Sequence, residues 1–342
     1  MREGLSRGWR VLATGLSFTV FGVGGLLLRV VVFPVLNVFV RERRKRVAAA
    51  RGVIRVVFRA FVWMMQALGV LRYEIVGAQR LERNGLLILA NHPTLIDAVF
   101  LMALVKDADC VVKGRLWNNP FTRGSVRAAG YINNDAGIGL VNDCIASLRS
   151  GNNLIIFPEG TRSEHDGLIA LKRGAANIAV RGMRDVTPVV IRCDPVTLGK
   201  GEKWWRVPPR AAHFRIDVGE DIPIGRFIGD GATDAIAARR LTGYLQHYFT
   251  KELNTMLEQE VKEMIIDVLQ LEDVRPDDID TDAPLFGEGL GLDSIDALEL
   301  GVALQKRYGI SLSAEAEDTR RHFASVRALA SLIEMSKSNK RS

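Results

Sequence analysis

Between residues 11 and 40 only Arg29 is charged, which leaves uncharged runs of 18 and 11 residues. Backbone that meets hydrocarbon must satisfy its own hydrogen bonds, so wherever this segment touches lipid it has to be helical. A bilayer core takes about 20 helical residues per span, so the segment is long for one span and short for two. Gly22, Gly24, Gly25 and Pro34 stand where a helix could break. Basic residues flank both ends, Arg2, Arg7 and Arg10 before and Arg41, Arg43, Arg44, Lys45 and Arg46 after, and positive flanks favour the cytoplasmic face. A re-entrant hairpin with both ends cytoplasmic is therefore expected, with a single tilted span as the alternative. A cleaved signal peptide fits less well, since the apolar run is too long and the basic block follows it. Residues 53–71 are again apolar but carry Arg55 and Arg59 on one helical face, as in a helix lying among headgroups. The alternative is a core helix that buries Trp63, Met64 and Met65.

Charge divides the chain. Residues 1–60 hold twelve Lys/Arg against two acids, whereas residues 255–335 hold seven against eighteen. One end suits anionic lipid and the other basic protein partners; nucleic acid is not an expected partner. Cys110, Cys144 and Cys193 form no CxxC and no disulfide framework, and His165, His213, His247 and His322 lack ligand-spaced neighbours. No metal site is expected, and a reducing compartment is the simplest setting.

From Tyr73 to about Arg240, short apolar runs alternate with helical stretches. Residues 86–90, 109–113, 153–157 and 187–192 read as buried strands, and 98–105, 140–149 and 171–181 as helices. This is an α/β pattern, in which sites gather at the carboxyl ends of strands. Two polar motifs directly follow such runs: Asn91-His92-Pro93-Thr94-Leu95-Ile96-Asp97, and Phe157-Pro158-Glu159-Gly160-Thr161-Arg162-Ser163. With His92 on a strand-to-helix turn, Asp97 can accept a hydrogen bond from one ring nitrogen and leave the other as a base for an alcohol. Arg162 suits bidentate phosphate binding, Glu159 could hold that arginine or the acceptor's hydroxyls, and Gly160 permits close backbone approach.

The two motifs, in this order, resemble the signatures of the lysophosphatidic acid acyltransferase family over roughly residues 1–250. Further matches are Lys113-Gly114-Arg115-Leu116, Gly130-Tyr131-Ile132, Leu171-Lys172-Arg173-Gly174-Ala175-Ala176 and Val186-Thr187-Pro188-Val189-Val190. The resemblance implies His92 and Asp97 as the catalytic pair, with Glu159, Gly160, Thr161 and Arg162 binding a phosphorylated acceptor. It also implies a hydrophobic tunnel for the acyl chain and an N-terminal helical pair dipping into one leaflet. Where the family usually has an Ile-Asp-Arg-like end to its second block, this chain reads Ile132-Asn133-Asn134-Asp135. The arginine is absent, and Lys113, Arg115 or Arg127 are candidates to compensate.

From Met256 onward a helix to about Leu269, a loop with Pro276 and Pro284, a helix from Ser294 to Tyr308 closed by Gly309, and a helix over residues 325–335 are expected, with a short turn near Glu315. Gly289-Leu290-Gly291-Leu292-Asp293-Ser294-Ile295-Asp296 resembles the attachment site of acyl carrier proteins, which implies a covalent 4′-phosphopantetheine arm on Ser294 supplied by a phosphopantetheinyl transferase. As an isolated feature Ser294 would instead be an N-cap. Asp293, Asp296 and Glu299 recur every three residues, which predicts a negative stripe for basic partners. Between Thr233 and Val274 the one breaker is Gly243, so the joint between domains reads as nearly continuous helix.

The expected architecture is thus an α/β acyltransferase domain (73–254) with N-terminal membrane-associated helices (1–72), a small all-α four-helix carrier domain (255–336) and a basic tail (337–342). The expected activity is transfer of an acyl group from acyl-ACP or acyl-CoA to the hydroxyl of a lysophospholipid, at the cytoplasmic face of the inner membrane. The alternative is a membrane-anchored carrier whose acyltransferase fold serves mainly as a docking platform.

Overall fold

The computed structural model describes residues 2–163, 169–208, 210–229, 232–287, 289–310 and 321–339. They fold as two compact units, one of Met1–Ser163 with Ile169–His247 and one containing Tyr248–Ser342.

The first unit opens with α1 (Arg2–Leu27), which passes through a π-helical turn at Leu28–Val32 into α2 (Phe33–Phe39). The hairpin expected within residues 11–40 does not form. Pro34 sits in the first turn of α2, where its missing N–H is tolerated, and the wider π turn absorbs the misfit. Gly25 serves close approach instead of a break, because a β-carbon there would lie 2.5 Å from the Phe121 carbonyl oxygen. The stretch Arg7–Phe39 is long and apolar enough to cross a membrane, and only 11% of its most apolar window is buried. Leu12, Leu16, Val20, Val23, Leu27, Val31, Val35 and Val38 are exposed at intervals of three and four, so they form one apolar stripe along the helix.

The chain reverses at residues 40–42 and returns as α3 (Arg43–Ala67). This helix is a core helix on one face, burying Ile54, Val62 and Met65, while Val56 and Trp63 point outward. Arg55 does not face headgroups: its Nη2 donates to the Leu104 carbonyl at 2.9 Å. Arg51 goes deeper still and pairs with Asp109 at 2.8 Å.

Seven strands form the sheet: β1 (Leu71–Val76), β2 (Leu87–Ala90), β3 (Ala108–Val112), β4 (Ile132–Asn133), β5 (Asn153–Ile156), β6 (Val186–Asp194) and β7 (Ala212–Val218), in the order β1-β7-β6-β2-β5-β3-β4. All neighbouring pairs are parallel except β6 with β7. Strands β2 and β5 are buried at every residue because helices cover both faces, whereas β7 alternates between buried and more open positions at its edge-side place. The covering helices are α4 (Asp97–Leu104), α5 (Gly114–Asn118), α6 (Arg123–Ala128), α7 (Leu140–Arg149) and α8 (Gly174–Gly182).

Helix α9 (Asp234–Leu269) is continuous. Its earlier residues bury Ala237, Ala238, Leu241 and Leu245, and its later residues Leu257, Val261, Met264 and Ile265 belong to the core of the second unit. That core is completed by α10 (Ser294–Tyr308) and α11 (Val326–Asn339), with Leu300, Leu304, Phe323, Leu329 and Ile333 fully or almost fully buried. Gly309 ends α10 in the left-handed conformation, as a C-cap glycine does. The turn expected near Glu315 lies outside the described residues.

Candidate active site

Strand register brings the two motifs together. Leu89 of β2 pairs with Ile156 of β5 in a parallel ladder, so His92 and Glu159, each three residues farther on, emerge side by side from the carboxyl ends. Asn91 anchors the turn by a two-way bond with β6: its Nδ2 donates to the Ile191 carbonyl and its Oδ1 accepts from the Ile191 amide, both at 2.7 Å.

His92 and Asp97 face each other as the sequence predicts, with Nδ1 and Oδ2 2.9 Å apart. Asp97 is fully buried at the first position of α4. Its Oδ2 also accepts from the Thr94 amide at 2.7 Å, and its Oδ1 from the Thr94 hydroxyl at 2.6 Å. A carboxylate with three donors around it fixes the tautomer: Nδ1 carries the proton and Nε2 keeps its lone pair. Burial pushes the Asp97 carboxyl above its ordinary range, and the bonds from His92 and Thr94 pull against it. The imidazole stacks on Phe157, with ring centroids 4.2 Å apart.

Glu159 does not hold Arg162, the first partner the sequence suggested. Its Oε1 accepts the His92 amide at 2.9 Å and the Ser163 hydroxyl at 2.8 Å, while the Ser163 amide donates to the His92 carbonyl at 2.7 Å. The second motif therefore clamps both backbone polar groups of the residue that carries the imidazole. Burial raises the Glu159 carboxyl, against the bonds from Ser163 and His92. Glu159→Ala should lower kcat by about 10- to 100-fold through misplacement of His92 while leaving the acceptor KM within about twofold, whereas Glu159→Gln, which can still accept both bonds, should retain most activity. Steady-state kinetics of the two variants check this.

Arg162 is held by its Nη1, which donates to the Leu198 and Gly199 carbonyls at 2.8 and 2.6 Å. Lys113 follows β3 at the same edge of the sheet. Its amine is held below the ordinary value first by burial and then by Arg115, Lys172, Arg162 and Lys200, a cationic cluster of which the sequence identified only part as site residues. Gly160 has φ +68°, and a β-carbon there would lie 2.9 Å from Lys172 Nζ. Glycine thus lets the lysine amine come against the turn.

These groups open onto a cavity of about 740 Å³ inside the first unit. Its polar end carries His92, Lys113, Arg115, Thr161, Arg162 and Lys172, and its remainder is lined by apolar residues of α1, α3, α4 and α8. Cys110 also lines it, but burial pushes that thiol up to about 12, so it stays protonated and acts as an apolar wall. Thr94, Ser163, Phe157 and Lys172 are the positions that residue-by-residue reading of the motifs did not assign. Thr94 sits inside the first motif as Asp97's hydroxyl partner, a pairing that its spacing of three before a helix start could have signalled.

In the second unit, Asp293 takes the N-cap role that Ser294 could have filled. Its Oδ1 accepts from the Ile295 and Asp296 amides at 2.7 and 3.0 Å, and Asp296 Oδ2 accepts the Asp293 amide at 2.8 Å. Ser294 is left exposed at the first turn of α10. Asp293 and Asp296, two of the three acids of the expected negative stripe, also close a capping box. The outward face of α10 presents Ile295, Leu298 and Val302, 64%, 70% and 42% exposed, between acids.

Comparison with known proteins agrees with both halves. Residues 72–192 match the Acyltransferase family model and residues 259–332 the Phosphopantetheine attachment site model. Over 143 residues the chain is 31% identical to acl-2 of Caenorhabditis elegans, covering 39% of this chain and 50% of that one. It is 27% identical over 143 residues to the 1-acyl-sn-glycerol-3-phosphate acyltransferase of Saccharomyces cerevisiae (39% and 47% covered). With the Helicobacter pylori enzyme of the same name it shares 30% over 112 residues (31% and 47% covered). The chain thus spans about half the length of the curated relatives it matches. The crystal structure of the 1-acyl-sn-glycerophosphate acyltransferase of Thermotoga maritima superposes with a TM-score of 0.54 and 21% identity, over 73% of this chain and 97% of that one, a likeness of fold. Residues 72–192 are an acyltransferase domain similar to those of the 1-acyl-sn-glycerol-3-phosphate acyltransferases, carried in one chain with an acyl-carrier-type phosphopantetheine attachment domain at residues 259–332.

Proposed function

We propose that the protein is a membrane-bound O-acyltransferase that moves an acyl group from a phosphopantetheine thioester, on acyl-ACP or CoA, to the hydroxyl of a lysophospholipid such as 1-acylglycerol-3-phosphate. The observation that carries this reading is His92, locked by Asp97 with its Nε2 available, at the junction of a cationic cluster and an apolar cavity. Each part matches one part of the reaction. The cations Lys113, Arg162 and Lys172 suit the acceptor's phosphate. The apolar cavity suits an acyl chain, which gains about 0.8 kcal/mol per buried CH₂. The imidazole takes the acceptor's O–H proton as that oxygen bonds to the thioester carbon. When the C–S bond breaks, the departing thiolate recovers the proton from the imidazolium, and Asp97 stabilises the cation in between. The deeply protonated Cys110 takes no part as a nucleophile.

The carrier half supports a covalent arm. Asp293 rather than Ser294 caps α10, so the exposed serine hydroxyl is not needed to close the helix. The arm, once attached, supplies a thiol able to hold an acyl group as a thioester. The exposed apolar stripe of α1 and α2 supports attachment to a membrane, and the basic flanks of that stripe support a cytoplasmic orientation. The absence of an arginine at Asn133-Asn134-Asp135 is offset by Lys113, Arg115 and Lys172 around the same cavity.

Incubation with CoA and a phosphopantetheinyl transferase should add one arm to the wild-type protein and none to Ser294→Ala, read by intact mass. Wild-type protein supplied with an acyl thioester and 1-acylglycerol-3-phosphate vesicles should yield the diacyl lipid, and failure with every lysolipid offered overturns the proposal.

A further inference from the structure

A second cavity, of about 330 Å³, is built where the turn between α1 and α2, the start of α3 and the end of α6 meet, and it shares no lining residue with the catalytic cavity. Four arginines line it, Arg29, Arg43, Arg46 and Arg127, and no acidic residue does. Like charges gathered around one hollow repel each other, so the arrangement favours an anion between them. Glu42, the acid beside this block in the chain, is engaged by Lys45 at 2.7 Å.

Arg29 is the informative member. It is the lone charge in the apolar segment of residues 11–40 and lies in the π turn, a device that recurs at functional sites. Its β-carbon packs against Gly124, another lining residue, and its Nη1 donates to the Pro120 carbonyl at 3.1 Å, so the side chain is tied to the segment that leads into α6. The same helix exposes Val30, Val31, Val35 and Phe39 beside the cavity. Cations next to a lipid-facing apolar surface sit at the depth where phosphates of a bilayer begin.

We propose that this cavity binds the phosphate of an anionic membrane phospholipid that is not the substrate. The arginine fork is suited to phosphate oxygens, and the small volume admits a headgroup phosphate while the apolar stripe meets the chains. Binding is independent of acyl transfer, so a failure here leaves the catalytic reading standing and the reverse also holds.

The test is vesicle co-sedimentation of the full chain with phosphatidylcholine alone and with added phosphatidylglycerol. R43Q/R46Q/R127Q should lose about tenfold more affinity for the anionic vesicles than R41Q/R44Q/R59Q, which removes equal charge from positions outside the cavity lining, and both should match wild type on neutral vesicles. R43K/R46K/R127K, which keeps charge but loses the fork, should show an intermediate loss, and unchanged melting curves establish that all variants fold. Equal losses in the two glutamine variants mean diffuse attraction only and overturn the site. Titration of the full chain with inorganic phosphate in the absence of vesicles separates the sources: saturation at submillimolar phosphate that R43Q/R46Q/R127Q abolishes assigns the site to a free anion and overturns its lipid occupant, and no such saturation supports the lipid.

Discussion

Replacing His92 by alanine is expected to lower kcat for lipid acylation about a thousandfold, with little change in the acceptor KM. The imidazole is the one group at the polar end of the cavity that combines an available lone pair with a buried carboxylate partner, Asp97 at 2.9 Å. The cations that suit the acceptor's phosphate sit on other strands and turns, so binding should survive the loss of the base. Steady-state kinetics with a fixed thioester and varied lysolipid separate the two parameters. A variant that loses KM and keeps kcat would instead make His92 a binding residue.

The largest stability effect is expected at a position far from the chemistry in sequence. Arg51 and Asp109 form an ion pair whose side chains are only 5% and 4% exposed. Asp109 also accepts the Ser147 hydroxyl at 2.6 Å and the Cys110 amide at 2.9 Å, and Arg51 Nε donates to the Ala129 carbonyl at 2.9 Å. Arg51→Met leaves a buried carboxylate without its cation and should cost about 3–5 kcal/mol at neutral pH. The sign of its pH dependence follows from Asp109, whose carboxyl is raised by burial and lowered by Arg51. Removing Arg51 raises it further. A group with a raised folded-state pKa contributes stability below its unfolded value and loses it as pH climbs through the folded value. The deficit of Arg51→Met should therefore be greatest at neutral pH and shrink on acidification. Denaturant titrations at several pH values measure it, and Arg51→Met/Asp109→Asn should recover part of the loss at neutral pH. An unchanged deficit across pH would mean that lost packing, and not the buried carboxylate, sets the cost.

Both polar motifs and the strands that carry them were legible because their signals are local. The central strands are buried on both faces and read as short apolar runs, and α7 and α10 were bounded correctly by their periodicity and by Gly309. Strands β1 and β7 were not identified. They pair with each other, and β7 alternates between buried and more open residues, a weaker local signal that a distant partner resolves. The fate of residues 11–40 was misread because Gly25 and Pro34 look like breakers in isolation. Glycine at 25 answers the backbone of Phe121, and proline at 34 is housed by a π turn, neither of which sequence displays. Arg55 likewise reads as a headgroup-facing charge until the Leu104 carbonyl is brought against it, and the buried pairing of Arg51 with Asp109 has no local signal in the sequence. In the site, His92 with Asp97 follows from spacing. The turn of Glu159 toward the His92 amide depends on the register between β2 and β5, a tertiary fact.

The most direct test of the account loads an acyl group onto the Ser294 arm, or supplies it as a separate acyl thioester, and follows both protein and vesicle lipids by mass spectrometry. Wild-type protein should lose the acyl mass, or consume the thioester, as a lysolipid gains the same mass, and His92→Ala should leave donor and lipid unchanged. A thioester that stays intact beside wild-type protein with every acceptor, or a lipid gain that His92→Ala matches, would contradict the central claim and favour a carrier held on a docking platform.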